Sequence, residues 1–146
     1  MKGPFQLRLG TSALVLDSLN AADIASDVLL NDASVAAIQR THWQRQFVVG
    51  VFSVWPTRGY DVSIRRVTAQ QIGGGLEQLC VVVAVRTPAP GRVVLQERTA
   101  AYDVVRVTRA PGYVVPHAVV VRTGHGRVLY WTRDGRPVRP GVCRRA

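Results

Sequence analysis

Apolar and polar positions alternate at the start of the chain. Phe5, Leu7 and Leu9 flank Gln6 and Arg8, and this period of two predicts a short strand ending at Gly10. Residues 13–16 predict a second short strand, while residues 20–30 have a helix-like spacing too short to decide their state. Over residues 31–44 the period lengthens: Val35, Ile38 and His42 recur three and four apart on one face. Asn31 or Asp32 is placed to cap this segment, and Ala33, Ala36 and Ala37 favour helix. After Gln46 the pattern turns to strands, over residues 47–54, 60–67, 76–86, 92–97, 102–108 and 113–122, with 127–132 closing a final hairpin. Arg65 and Arg66 mark the exposed part of the second of these. Gly73-Gly74-Gly75, Thr87-Pro88-Ala89-Pro90-Gly91 and Ala110-Pro111-Gly112 punctuate the run. No helical pattern lies between the later strands, which argues for antiparallel pairing rather than βαβ units. The expected fold class is α+β: an antiparallel β-sheet, or a partly open barrel or sandwich, with one main helix at about residues 31–44. Residues 1–136 are expected to form a single β-rich domain, followed by a basic tail over residues 137–146.

A chain of 146 residues, 47% of them hydrophobic, suits one globular domain that folds without a metal or a disulfide. The net charge is +10, and Lys2 is the single lysine among 19 basic residues. The charge is uneven. Residues 1–40 hold Lys2, Arg8 and Arg40 against Asp17, Asp23, Asp27 and Asp32, whereas from Val104 onward nine Arg face only Asp134. Such an end attracts polyanions, and a chain-wide preference for Arg over Lys explains it equally well. No secretory pattern follows Met1, and no apolar run nears the roughly 20 residues that span a bilayer. The expectation is a cytoplasmic protein, or an exported one whose export segment belongs to a longer form of the chain.

The two cysteines make neither a disulfide framework nor a metal cluster. Cys80, in the run Leu79-Cys80-Val81-Val82-Val83, reads as a buried small hydrophobe. Cys143 reads as exposed, with Arg144 and Arg145 beside it to favour the reactive thiolate. His42, His117 and His125 are scattered without metal-ligand spacing. Glu97 and Asp103 can approach across a hairpin, but each more readily pairs with an Arg such as Arg98 or Arg106. Gly73-Gly74-Gly75 lacks the Lys and Ser/Thr of a phosphate loop and leads into a strand. The sequence therefore points to no catalytic residues, no metal site, no cofactor and no enzymatic activity.

Val54-Trp55-Pro56-Thr57-Arg58-Gly59-Tyr60 is more specific. Pro56 fixes its own φ and Gly59 permits a positive one, making a tight turn that carries Trp55, Arg58 and Tyr60. Aromatic residues and Arg often dominate interface energies, while an aromatic pair at a strand end equally serves to plug a β core. Val48-Val49-Gly50-Val51-Phe52 followed by Pro56-Thr57-Arg58-Gly59-Tyr60-Asp61-Val62-Ser63-Ile64 resembles the core motif of PrcB-like protease complex subunits: an apolar strand, a Thr-Gly-Gly-Tyr turn and a strand. Pro88-Ala89-Pro90-Gly91 resembles that family's Pro-x-Pro-Gly turn, and Gln96, Thr99, Tyr102, Val104 and Val105 its closing strand. The resemblance covers about residues 47–108. Arg58 departs from it by replacing the first Gly of the pair, and Ala101 by standing where Pro is usual. The resemblance implies a non-catalytic accessory domain that binds and stabilises a protein partner such as a protease.

The partner-binding residues expected on this reading are Trp55, Thr57, Arg58, Gly59, Tyr60, Pro88, Pro90, Gly91 and Tyr102, with Gly73-Gly74-Gly75 as a helping loop. The 56–60 turn is also similar to a loop of chagasin-type cysteine-protease inhibitors, whose glycine-rich second loop Gly73-Gly74-Gly75 resembles; their third, Arg-Pro-Trp loop has no match. The alternative function is single-stranded nucleic-acid binding through Arg122, Arg127, Tyr130, Trp131, Arg133, Arg136, Arg139, Arg144 and Arg145, where cationic side chains neutralise backbone and aromatics stack on bases.

Overall fold

The computed structural model describes residues 10–18, 36, 38–73, 76–91, 97–116 and 118–132. Seven strands appear in the order β1 (Gly10–Leu16), β2 (Gln46–Trp55), β3 (Asp61–Gly73), β4 (Leu76–Arg86), β5 (Thr99–Thr108), β6 (Val119–Thr123) and β7 (Val128–Thr132). They form two sheets. One has the order β1-β2-β5 and the other β3-β4-β6-β7. The β3–β5 and β1–β7 borders come close, yet among the described residues no hydrogen-bonded ladder joins the sheets, so the sandwich is not a closed barrel.

Two expectations are overturned. The α+β class with a main helix over residues 31–44 gives way to a nearly all-β protein. Residues 31–35 and 37 lie outside the described part. Beyond them a single turn closes where the Arg40 N–H donates to the Ala36 carbonyl, and residues 43–45 are already a second turn into β2. Ile38 and Trp43 do share a buried side, but against Leu14, Leu16, Val48 and Val104 on the outer face of the first sheet. Tertiary packing of two anchors, not helix propensity, fixes this stretch. The second correction concerns pairing. β4 and β6 run parallel, with Leu79 opposite Val119 and Val83 opposite Thr123, whereas the other ladders are antiparallel. The strand expected over residues 113–122 begins only at Val119, and most of the one expected over 92–97 lies outside the described residues, as does the strand of residues 5–9.

The core fills the space between the sheets. Phe47, Val49 and Val51 of β2 face Leu79, Val81 and Val83 of β4 and Val119 and Val121 of β6, the two-residue period of strands that bury one row inward. β2 and β4 also bury their outward rows, which explains why they read in sequence as continuous apolar runs rather than alternations. On β4, Gln78, Cys80 and Val82 point away from the core, as do Val120 and Arg122 of β6, and all five are buried. At the border between the sheets, a bulge in β3 between Ile64 and Arg66 turns both Arg65 and Arg66 to solvent. The Ile64 N–H beside this bulge donates to Asp103 Oδ2 of β5 at 2.7 Å. Asp103 thus ties one sheet to the other, rather than serving Arg106 alone as the sequence suggested.

Candidate functional site

The turn over residues 56–59 joins the end of β2 to the start of β3. Trp55 is the last residue of β2, paired with Thr99 of β5. Its ring stacks on Tyr60 with centroids 4.4 Å apart and planes 7° from parallel. An offset stack of this kind adds about 1 kcal/mol beyond area burial and holds both rings half-buried at this end of the sandwich. Trp55 Nε1 is buried with no hydrogen-bond partner among the described residues.

Gly59 takes φ 98°, and a Cβ built there would lie 2.9 Å from Cγ of Pro88. The 87–91 loop is therefore seated directly against the turn. Gly91, exposed at the far side of that loop, has φ 76° with open space around it. Arg58 Nη2 reaches Glu97 Oε2 at 3.0 Å, and both side chains remain more than half exposed. Arg86 and Asp61, opposite each other in the β3–β4 ladder, approach to 3.8 Å. The structure thus brings together Trp55, Thr57, Arg58, Gly59, Tyr60, Pro88, Pro90 and Gly91 on one end of the sandwich. Thr57 and Pro88 are half-buried, while Arg58, Pro90 and Gly91 face solvent.

Two expected members do not join them. Tyr102 lies along β5 opposite Phe52, its ring 6.1 Å from the Phe52 ring, on the outer face of the first sheet. Gly73 ends β3, a strand of 13 residues that starts beside the turn. At roughly 3.3 Å per residue the β3–β4 hairpin sits about 40 Å from residues 56–60. It cannot share a contact surface with them, and Gly74 and Gly75 lie outside the described residues. Glu97 was missed as a site residue. Its pairing with Arg58 spans 39 positions, a separation that a search for cross-hairpin neighbours such as Arg98 does not reach.

The opposite end of the sandwich holds a cavity of about 300 Å³ that sequence reasoning did not anticipate. Phe47, Leu79 and Val107 form its apolar walls, and Glu77, Arg109 and Tyr113 supply its polar groups. The Tyr113 hydroxyl donates to Glu77 Oε1, and the Arg109 guanidinium donates to the carbonyls of Trp43 and Tyr113. Burial, then the hydrogen bond to Glu77 and its negative charge, push the Tyr113 phenol up from 10.0 to about 12. It is a proton donor at neutral pH, not a base or nucleophile, and no reaction follows from this arrangement.

A folded value above the unfolded one means that the native state holds the phenol proton more tightly. That contribution to stability is intact below pH 10 and is lost as pH rises through about 12. Tyr113→Phe is therefore expected to flatten the fall of melting temperature across this window relative to the parent protein. An identical alkaline fall in both would show that Tyr113 does not carry it.

The residues expected for nucleic-acid contact divide. Arg122 is buried, only 6% exposed, and its guanidinium donates to the Thr123 carbonyl. Tyr130 packs against the inter-sheet core, while Trp131, the next residue along β7, is 37% exposed. The two aromatics thus face opposite ways and cannot stack on one strand together. Arg127 is exposed. Arg133, Arg136, Arg139, Arg144 and Arg145 lie outside the described residues. Among the described residues no group of three or more His, Cys, Asp or Glu is placed to hold a metal, and no helix is long and apolar enough to cross a membrane.

Compared with known families, residues 53–108 match the PrcB C-terminal family model. That segment runs from the last three residues of β2 to the end of β5 and includes the whole of the turn, the 87–91 loop and Glu97. The similarity to chagasin-type inhibitors gained no support. No curated protein and no solved structure matches the chain.

Proposed function

We propose, from the match of residues 53–108 to the PrcB C-terminal family model, that the protein is a non-catalytic accessory subunit that binds a protein partner, such as a protease, through the end of the sandwich bearing Trp55 to Tyr60. The observation that carries this reading is the convergence of three separate segments on one end: residues 55–60, residues 87–91 and Glu97. They present a partly buried aromatic stack, two exposed prolyl and glycyl loop positions, and a solvent-facing ion pair. Interfaces of this kind are anchored by aromatic and Arg side chains inside a polar rim. Glu97 partly neutralises Arg58, so the charge by which this turn departs from the family pattern is offered as an ion pair that a partner's carboxylate must compete for.

Nucleic-acid binding draws less support, because Arg122 is buried and Tyr130 faces the core. The test is co-purification of partners by the full chain against the triple variant Trp55→Ala, Arg58→Ala, Tyr60→Ala, with near-UV circular dichroism first establishing that the variant is folded. Partners lost by the folded variant support the assignment. Partners retained would place the contact elsewhere.

A further inference from the structure

The cavity lies on the seam where β3 and β5 face each other. Val67, Thr68 and Ala69 of β3 line one side of it, and Val107 and Thr108 at the end of β5, with Arg109, line the other. Neighbours on a strand point to opposite faces, so a cavity that meets consecutive residues lies against the strand's edge, not against one face alone. We propose that this seam is a docking site for an extended segment of a protein partner. The segment adds its backbone to the edge of β3 over residues 67–71, inserts one apolar side chain into the cavity and carries acidic residues beside it. This second contact surface does not depend on the reading of the Trp55 to Tyr60 end.

The edge has the means to pair. β3 ends one sheet and β5 the other, and among the described residues no backbone hydrogen bond passes between them. Near its start the β3 edge is protected. The bulge between Ile64 and Arg66 breaks its regularity, Arg65 and Arg66 stand exposed, and Asp103 accepts from the Ile64 N–H. Bulges and charges are the devices that keep strand edges from pairing. Past Arg66 they stop: Val67-Thr68-Ala69-Gln70-Gln71 has no charge and no proline, and its register with β4 is unbroken. A regular edge beside a cavity meets both needs of strand addition, main-chain groups to pair and a pocket to select a side chain.

The cavity suits one large apolar side chain. Ala69 pairs with Leu79 of the core and so belongs to the inward row of β3, yet it is exposed, which marks the mouth. Phe47, Leu79 and Val107 wall a volume of about 300 Å³, and roughly 150 Å³ already takes a benzene ring. Val114, the neighbour of the lining residue Tyr113, is 83% exposed and offers a further apolar contact outside. Charge selects the flanks. Asp103 and Glu77 are engaged by the Ile64 N–H and the Tyr113 hydroxyl, and Arg109 by two backbone carbonyls. Arg65, Arg66 and Arg106 are exposed on the two border strands, and among the described residues no ion pair engages them. The charge left to a partner is positive, and acidic residues complement it.

The probe is a library of displayed random short peptides, selected on the full chain and titrated afterwards as labelled synthetic peptides. Enriched peptides are expected to hold one large apolar residue beside Asp or Glu. Ala69→Phe, whose ring fills the cavity, is expected to weaken them roughly tenfold or more without lowering the melting temperature. Arg65→Glu with Arg66→Glu should weaken them and flatten the salt dependence. By hydrogen exchange, alternate amides between Val67 and Gln71 should exchange fast in the free protein and slowly in the complex. No enriched peptide, equal binding by folded Ala69→Phe, or edge amides already protected in the free protein would each overturn the proposal. If Ala69→Phe does not fold, the exchange of the parent protein decides alone.

Discussion

Replacing Gly59 with valine is expected to lower the melting temperature by roughly 10 °C, the equivalent of about 3 kcal/mol in a domain of this size. Two costs combine. The first is backbone strain, since φ 98° is a conformation that L side chains rarely adopt and that a β-branched one tolerates least. The second is steric, since the new Cβ would meet Cγ and Cβ of Pro88 at 2.9 and 3.1 Å. Gly91 separates them, having φ 76° but nothing within 4 Å of a built Cβ. Gly91→Ala should therefore show the strain alone, about 1 kcal/mol, and Gly59→Ala visibly more. In the background of Pro88→Ala the excess at Gly59 should shrink, the signature of direct coupling. Equal costs at the two glycines would mean that the 87–91 loop does not rest on the turn.

The second large effect concerns Trp55. Its stack on Tyr60 makes it both a lid on the core and a candidate anchor, and single substitutions distinguish these roles. Trp55→Ala is expected to cost about 2–3 kcal/mol in stability, below the range for a fully buried aromatic because the ring is half-exposed. Arg58→Glu should cost less than about 1 kcal/mol, since an exposed ion pair contributes little to folding. If the turn is a contact surface, Arg58→Glu should nevertheless weaken partner binding about tenfold or more. Calorimetry paired with a binding titration reads both quantities. Undiminished binding by Arg58→Glu, together with instability of Trp55→Ala, would make the aromatics a core plug and nothing else.

The β4 boundaries were legible because glycines precede the run and prolines follow it, so turn chemistry bracketed a strand that sheet formation then kept. The described part of the stretch expected as a helix, from Ile38 to Gln44, was not legible as what it is. Ile38 and Trp43 are anchors on a sheet face, and spacing alone cannot tell an apolar helix face from two contacts made by an irregular segment. Nor could periodicity show that β4 and β6 run parallel, because strands carry the same pattern in either direction. At the site, the motif from Trp55 to Tyr60 and the Pro88 loop were readable as parts of one site through their resemblance to the PrcB-like pattern. Glu97 was assigned to sequence-near arginines instead, and the Tyr113–Glu77 pair escaped because neither residue stands in a motif.

The parallel β4–β6 ladder bears on the order in which the molecule assembles. Between Arg86 and Val119 the chain leaves the second sheet, lays β5 beside β2 in the first, and returns. The β3–β4 hairpin can form early from adjacent sequence, but its free side waits for a strand made much later. Contacts of such long sequence separation slow the search for the native state. Until β6 arrives, β4 has an unpaired edge with a largely apolar centre from Leu79 to Val85, the kind of edge through which chains associate wrongly. The segment that matches the family model ends at Thr108, before β6 begins, so the part of the protein that carries the candidate contact surface depends on residues beyond that segment to cover the β4 edge as it folds.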